Sequence, residues 1–168
     1  MPNVADIIKG HNRNLLQKDN STVNQTLPCN CRNKSKCPLG GKCGESSVIY
    51  KAELKHNGGS KQYIGSCSTT FKTRLYNHHQ SFKDRQKRNA TELSKAIWNF
   101  KDLGGNPEIT WSIVRQTPPY QCGSRRCRLC QSEKLTIFQA DNRTLLNKRS
   151  ELISKCRHRN KYKLKNCP

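Results

Sequence analysis

The stretch SSVIYKAELKHNGGSKQYIGSC, residues 46–67, decides the fold of this chain. Apolar and polar side chains alternate over residues 48–55, which is the period of a strand with one buried face. Gly58 and Gly59 follow and favour a tight turn, and residues 61–67 then have the composition of a returning strand. The sequence therefore predicts an antiparallel hairpin, with a tyrosine on each of its two strands.

Helical patterns and one further strand follow the hairpin. The predicted elements are a helix from Ser68 or Thr69 to about Phe82, a helix with a capping box at Asn89 and Glu92 and an end at Gly104-Gly105, a third strand over Ile109 to Val114, and helices over residues 129–140 and 148–155. The second of these helices has a predicted apolar stripe of Leu93, Ile97, Phe100 and Leu103. The globular part of the chain therefore mixes strands with helices and begins near Ser46.

The net charge indicates the class of partner. The 168 residues include 32 lysines and arginines against 11 aspartates and glutamates, a formal net charge of +21. Such an excess attracts polyanions, so DNA is the predicted partner. No apolar run approaches the roughly 18 residues that span a bilayer, so no membrane partner is expected. The residues predicted to contact phosphates are Lys83, Arg85, Lys87, Arg88, Lys148 and Arg149.

Most of the ten cysteines fall into two groups with the spacing of metal ligands. The N-terminus has no apolar core like that of a secretory signal, so we expect an intracellular chain, in which clustered cysteines favour metal over disulfides. The first predicted structural zinc site comprises Cys29, Cys31, Cys37 and Cys43. The second comprises Cys127, Cys130, Cys156 and His158, with Cys122 or Cys167 as alternative ligands. This second site would join the helix that carries Glu133 to the C-terminal segment.

A further set of residues matches the requirements of phosphodiester hydrolysis. The reaction needs a carboxylate ligand for a hard metal ion, a cation for the transition state, and a group that positions or deprotonates water. Arg74 and His78 lie one turn apart on the first predicted helix and so share a face. Glu133 provides a carboxylate from another helix, and the hydroxyls of Tyr50 and Tyr63 converge if both rings share one face of the hairpin.

At these positions the chain resembles the GIY-YIG nuclease family. The resemblance covers about residues 47–150. The matching residues are the tripeptides Val48-Ile49-Tyr50 and Tyr63-Ile64-Gly65, the helical pair Arg74 and His78, the metal-binding glutamate Glu133, and the late asparagine Asn147. The chain departs from the family at Val48, where the family usually has glycine.

The resemblance implies a fold and a mechanism. The fold would be of the α+β class, a small three-stranded antiparallel sheet flanked by helices. The mechanism would hydrolyse one DNA strand at a time, with a single Mg²⁺ or Mn²⁺ held by Glu133. Tyr50 would act as the general base or hold the water, Tyr63 would assist, and His78 and Asn147 would complete the pocket. A free tyrosine has a pKa of about 10, so Tyr50 would need a nearby positive charge to act at neutral pH.

The cysteine-rich segments on either side of the domain point to a more specific resemblance within this family. The segment from Cys29 to Cys43, the run Cys127-Arg-Leu-Cys130 and the later Leu146-Asn-Lys-Arg-Ser-Glu-Leu152 are similar to endonuclease segments of Penelope-like retroelements. That similarity implies a mobile-element origin, a reverse transcriptase module as a further partner, and activity in the nucleus.

These patterns divide the chain into four parts and leave three interpretations of its function. The parts are a polar segment (1–28), a cysteine-rich zinc module (29–45), a GIY-YIG-like nuclease domain (46–155) and a basic tail (156–168). The first interpretation is a metal-dependent DNA endonuclease that nicks a strand. The alternatives are a non-catalytic, zinc-containing nucleic-acid-binding protein that retains the nuclease fold, and a secreted, disulfide-linked basic protein.

Overall fold

A computed structural model describes most of the predicted domain. It covers residues 3, 6, 7, 9 and 10, then 29–56, 59–120 and 127–148, and finally 152, 156 and 158. The predicted N-terminal segment, the helix predicted over 148–155 and the basic tail therefore lie largely outside the described residues.

The centre of the fold is a three-stranded antiparallel sheet. Its strands are β1 (Ser46–His56), β2 (Gly59–Thr70) and β3 (Glu108–Gln116), and their order is β2-β1-β3. Within the hairpin, Tyr50 pairs with Gly65 and Ala52 with Tyr63. Because residues two apart on a strand point to the same side, the rings of Tyr50 and Tyr63 share one face of the sheet. The predicted α+β class and the three-stranded sheet are confirmed.

From residue 29 onward, the described residues form three α-helices that pack around the sheet: α1 (Phe71–Lys83), α2 (Glu92–Asp102) and α3 (Arg128–Gln139). The caps differ from the predicted ones because a later hydroxyl is better placed. Thr70 Oγ1 accepts the backbone N–H of Thr73, and Thr91 Oγ1 accepts the N–H of Ser94 at 3.0 Å. The predicted capping box at Asn89 and Glu92 is therefore wrong, since Thr91 is the cap and Glu92 is the first helical residue.

Both faces of the sheet are covered. One face packs its buried side chains, Tyr50 among them, against α1 and α2. On the other face, Ile49 and Ile64 pack with Leu129 and Ile137 of α3. This second layer explains why Ile49 is buried although simple alternation assigns it to the outer face. Leu103, predicted to extend the core stripe of α2, is 84% exposed because it lies past the helix end.

The cysteine-rich segment before β1 is continuous with the main domain. Cys37 and Cys43 are buried in the same apolar cluster as Tyr50 and Phe71. The carbonyl of Glu45 accepts the N–H of Phe71 at 2.9 Å, and the carbonyl of Cys43 accepts the N–H of Lys72 at 2.8 Å. Two otherwise unpaired amides at the start of α1 are thus satisfied by this segment.

A short segment after α3 covers the outer edge of β2. The N–H of Gln62 donates to the carbonyl of Thr144, and the N–H of Leu146 donates to the carbonyl of Gln62, each at 2.8 Å. The side chain of Asn147 then accepts the N–H of Ile64 and donates to its carbonyl, both at 2.8 Å. Asn147 therefore extends the pairing of β2 with its side-chain amide. Within the described ranges, no helix has the length and apolar character needed to cross a bilayer.

Candidate active site and metal centres

Three of the predicted catalytic residues, Tyr50, Arg74 and His78, form a hydrogen-bonded group in the interior of the domain. The side chain of Tyr50 is 0% exposed. Arg74 Nε donates to Tyr50 Oη at 3.0 Å, and His78 Nε2 lies 2.8 Å from the same oxygen. Burial first, and then the charges of Arg74 and His79, together lower the pKa of His78 to about 3. His78 is therefore neutral at pH 7, and Tyr50 accepts from Arg74 while donating its own proton to His78.

Burial also acts on the hydroxyl of Tyr50. It raises the pKa of Tyr50 well above the ordinary value, and the favourable charge of Arg74 does not offset it. The hydroxyl is thus held neutral, with a donor and an acceptor already in place. The role of general base that the resemblance gives to Tyr50 does not fit this environment, because no water reaches a fully buried ring.

Packing against Tyr50 and Tyr63 explains why the second tripeptide ends in glycine, at Gly65. A Cβ atom at this position would lie 2.6 Å from Cζ of Tyr50 and 3.1 Å from Cε1 of Tyr63. Only a residue without a side chain leaves room for the Tyr50 ring against β2. The glycine is required by packing, with no unusual backbone angle involved.

The candidate site is a cleft of about 500 Å³ where β2, α1 and α3 meet. The first wall carries Tyr63, Arg74 and Asn77, and the second wall carries Glu133 and Lys134. The remaining lining residues are Ser66, Cys67, Ser68, Thr69, Ala90, Thr91, Cys130, Ile137 and His158. Three of the predicted catalytic residues therefore share one cavity, although they come from three different elements.

The pKa of Cys67 is affected by charged groups on both sides of this cleft. Its thiol is buried, which raises its pKa to about 11; the charge of Arg74 opposes the shift and the charge of Glu133 adds to it. Both charged groups therefore act on the same buried thiol. Cys67 remains a protonated, structural residue, as the sequence predicts.

The composition of the cleft fits a hard divalent cation. Mg²⁺ is commonly bound through one or two carboxylates, with water and substrate phosphate as its other ligands. Among the described lining residues, Glu133 is the carboxylate, and the hydroxyls of Ser66, Ser68 and Thr69 are further oxygen donors nearby. The donor set therefore suits a single ion that is completed by the substrate.

The first cysteine cluster has the geometry of a closed metal site. The ligand atoms of Cys29, Cys31, Cys37 and Cys43 all lie within 4.8 Å of one another. Cys43 Sγ lies 3.5 Å from the sulfurs of both Cys29 and Cys31. A tetrahedral zinc with bonds of about 2.3 Å places its sulfurs about 3.8 Å apart, whereas a disulfide needs about 2.05 Å. The cluster could therefore hold zinc, and its thiols are unpaired.

Backbone amides support one ligand of this cluster. Burial raises the pKa of Cys37, but hydrogen bonds from the backbone at Leu39 and Gly41 outweigh it and lower the pKa to about 6. The turn after Cys37 thus stabilises a thiolate, which is the form that binds a metal.

The second cluster joins α3 to the C-terminal part of the chain. The ligand atoms of Cys127, Cys130, Cys156 and His158 also lie within 4.8 Å of one another. His158 Nδ1 is 3.6, 3.2 and 3.8 Å from the sulfurs of Cys127, Cys130 and Cys156, and the sulfurs of Cys130 and Cys156 are 3.4 Å apart. Burial raises the pKa of Cys127 and of Cys130, so a bound cation is needed to keep them as thiolates. This group, too, could hold zinc.

Several of the predicted phosphate-binding residues are paired with acids. Arg85 and Arg88 approach the two oxygens of Asp102 at 3.7 and 3.3 Å, and Lys87 approaches Asp84 at 3.1 Å. Lys148 pairs with Glu92 at 2.9 Å. The loop that follows Lys83 nevertheless keeps more cations than acids, so it remains electropositive. Arg149 lies outside the described residues.

The cleft also contains residues that the sequence analysis did not single out. Lys134 adds a second cation across from Arg74, and Asn77 lies beside Arg74 on α1. Helical spacing could have identified Lys134, because it lies four residues after the ligand Cys130 on the same helix face. Asn147, in contrast, is predicted in the pocket but is found on the edge of β2.

Comparison with protein families, with curated proteins and with solved structures gives no match to this chain.

Proposed function

We propose that the protein is a metal-dependent DNA endonuclease of the GIY-YIG type. The observation that carries the proposal is the shared cleft, in which Tyr63, Arg74 and Glu133 line one cavity. The net charge of +21 supports a polyanionic substrate. The burial of Tyr50 beneath Gly65 supports the resemblance, because it gives a packing reason for both tripeptides.

In this proposal each cleft residue has a separate task. The guanidinium of Arg74, already oriented by Tyr50, binds a non-bridging phosphate oxygen and stabilises the charge that develops there. A divalent ion such as Mg²⁺ or Mn²⁺ held by Glu133 would neutralise the negative charge that develops on the leaving oxygen. Lys134 holds the neighbouring phosphate from the opposite wall.

Tyr63 is the tyrosine that meets the attacking water. It lines the cleft, whereas Tyr50 lies below it with both hydrogen-bonding positions occupied. The positive charges of Arg74 and of the bound cation would favour loss of the Tyr63 proton, so that its oxygen accepts a proton from water. Tyr50 then acts on the reaction only by fixing Arg74.

Zinc in both cysteine clusters completes the proposal. Four ligands close each site, so neither metal has an open position for water and both are structural. The mobile-element origin, the reverse transcriptase partner and nuclear action rest on the spacing of these cysteines and remain part of the proposal.

Nicking of supercoiled plasmid tests the function directly. We expect the wild-type protein with Mg²⁺ or Mn²⁺ to relax plasmid, and EDTA to stop it. Glu133→Gln should bind DNA with unchanged affinity and lose nicking by at least about 100-fold, because it loses its cation. Glu108→Gln, an exposed glutamate on β3, is the matched control and should cut normally.

The charge and the two clusters alone favour a second function, that of a zinc-containing nucleic-acid-binding protein without catalysis. Equal DNA binding by wild type and Glu133→Gln, with no cutting by either in Mg²⁺ or Mn²⁺, would establish that function instead.

A further inference from the structure

We propose that the second cluster is a positioning site for Glu133, so that a zinc ion held by Cys127, Cys130, Cys156 and His158 sets how tightly Glu133 binds its divalent cation. The inference rests on the proposed function in one respect, the role of Glu133 as a cation ligand. The four ligands are then positioning residues, since none is assigned a contact with the reacting phosphate: Cys127, Cys130, Cys156 and His158.

The cluster and the carboxylate are adjacent on one helix. Cys127 is the residue before α3, Cys130 lies in its first turn, and Glu133 lies three residues further. With a rise of 1.5 Å per residue, the levels of Cys130 and Glu133 differ by only about 4.5 Å along the axis. Cys130, Glu133 and His158 line the same cleft. A metal bound by Cys130 therefore fixes the turn from which Glu133 projects.

The N-terminal turn of α3 is the part of the helix where a metal would add most. The helix buries Leu129 and Ile137 against the sheet, but its first turn has no side-chain cap. The opposite wall, α1, buries five side chains and is capped by Thr70. A metal bound by Cys130 would therefore hold the uncapped turn of α3 from which Glu133 follows.

The C-terminal ligands bring support from a distant part of the sequence. Leu152 and Cys156 pack partly against the cluster of Ile49, Ile64, Leu129 and Ile137. A metal shared by Cys130 and His158 thus joins α3 to a segment that already rests on the sheet. Loss of the metal removes this connection. The main core around Tyr50 contains none of the four ligands of this metal, so it does not depend on the metal directly.

A merely stabilising zinc would behave differently from a positioning zinc. If the second cluster only contributed to folding, its loss would lower thermal stability and leave the affinity of the remaining folded protein for Mn²⁺ unchanged. A positioning site predicts the opposite: the main core stays folded and the affinity of Glu133 for Mn²⁺ falls.

The experiment measures Mn²⁺ binding without DNA, by electron paramagnetic resonance, in protein purified with zinc. We expect two zinc ions per wild-type chain, one in His158→Ala, and two again in His158→Cys, which restores a fourth ligand. His158→Ala should bind Mn²⁺ at least tenfold more weakly, His158→Cys should recover to within threefold of wild type, and Glu133→Gln should lose the site. Circular dichroism should show that His158→Ala keeps a cooperative thermal transition.

Each contrary result overturns the inference in a recognisable way. An affinity within twofold of wild type in folded, one-zinc His158→Ala would refute positioning but leave the nuclease proposal intact. If wild type shows no Mn²⁺ site that depends on Glu133, the cation role fails and positioning fails with it. If both His158→Ala and Cys156→Ala lose their thermal transition, the cluster is a folding site only.

Discussion

Tyr50 and Tyr63 lie on the same face of the same hairpin, with ring centroids 6.5 Å apart, and both are buried in the main core, yet only Tyr63 also borders the cleft. Around Tyr50 the region is closed: Phe71, His78 and Trp111 surround its ring at 5.3 to 6.0 Å between centroids. Tyr63 lines the open cleft with Arg74 and Glu133. The difference shows that one hairpin can place one tyrosine entirely in the core and another at the wall of a cleft.

Arg74 is the residue that connects these two regions. Its Nε is fixed by Tyr50, while its side chain lines the cleft. Substitutions in the closed region should therefore affect stability first and activity through Arg74. Substitutions in the open region should affect activity and leave stability nearly unchanged. The following three predictions separate the two.

The largest effect on stability is expected for Gly65→Ala. The new methyl group would lie 2.6 Å from Cζ of Tyr50, so either the ring or β2 must move. Overpacking of this kind costs about 3 kcal/mol, and a displaced Tyr50 would also release Arg74. Urea denaturation with zinc present measures the loss, with Gly10→Ala as the control, because a Cβ atom there would meet nothing within 4 Å. An unfolding free energy within about 0.5 kcal/mol of wild type would show that Tyr50 is not packed against this glycine.

A smaller effect on stability is expected for Tyr50→Phe. This change leaves the buried groups of Arg74 and His78 without their shared partner, which costs about 2 kcal/mol. Tyr63→Phe should cost under about 1 kcal/mol, because water in the cleft can replace a lost hydroxyl. The order reverses for nicking, which Tyr63→Phe should lower by at least about 100-fold. Equal stability of the two variants, or faster cutting by Tyr63→Phe than by Tyr50→Phe, would contradict the division into closed and open regions.

Near neutral pH, the smallest effect is the dependence of stability on pH through His78. Its pKa is about 3 in the folded protein and about 6.5 in the unfolded chain. The unfolded chain therefore takes up a proton as the pH falls below about 6.5, while the folded protein takes it up only near pH 3. Stability present above pH 6.5 should thus be lost on acidification, by up to about 1.4 kcal/mol per pH unit.

His78→Gln isolates this contribution, because an amide oxygen can still accept the Tyr50 proton but does not titrate. Unfolding free energies of wild type and His78→Gln, measured at pH 7, 6 and 5, should converge as the pH falls. Loss of zinc from either cluster affects both proteins equally, so it does not contribute to the difference between them. Parallel curves would mean that the pKa of His78 is the same in the folded protein and in the unfolded chain.

Much of the fold could be predicted from local patterns. Alternation over β1 and the glycine turn fix the hairpin, because strand pairing across a tight turn depends on neighbouring residues. The first four-ligand set is equally local, because Cys29 to Cys43 lie close in sequence. The second set is local only in Cys127 and Cys130, since Cys156 and His158 come from a distant part of the chain. Both clusters are confirmed as groups that could hold zinc.

Which tyrosine borders the cleft could not be predicted in this way. The sequence predicts that Tyr50 and Tyr63 share a face, but it does not show that α1 and Trp111 of β3 close over Tyr50. That depends on packing between elements far apart in sequence. Helical spacing places Lys134 on the face of Cys130, but that this face borders the cleft depends on how α3 lies against β2. Helix caps were missed by one or two residues because several hydroxyls compete at each start.

The side-chain amide of Asn147 has a consequence for self-association. Exposed sheet edges recruit further strands, and a sheet with two open edges can grow into a filament. Here Gln62 and Ile64, on the outer edge of β2, already have partners in residues 144–147. In the part of the chain that the structure describes, β3 is the other edge. A strand from another copy could pair with Gln62 and Ile64 only after displacing residues 144–147, so we expect copies of this protein to associate more readily through β3 than through this part of β2.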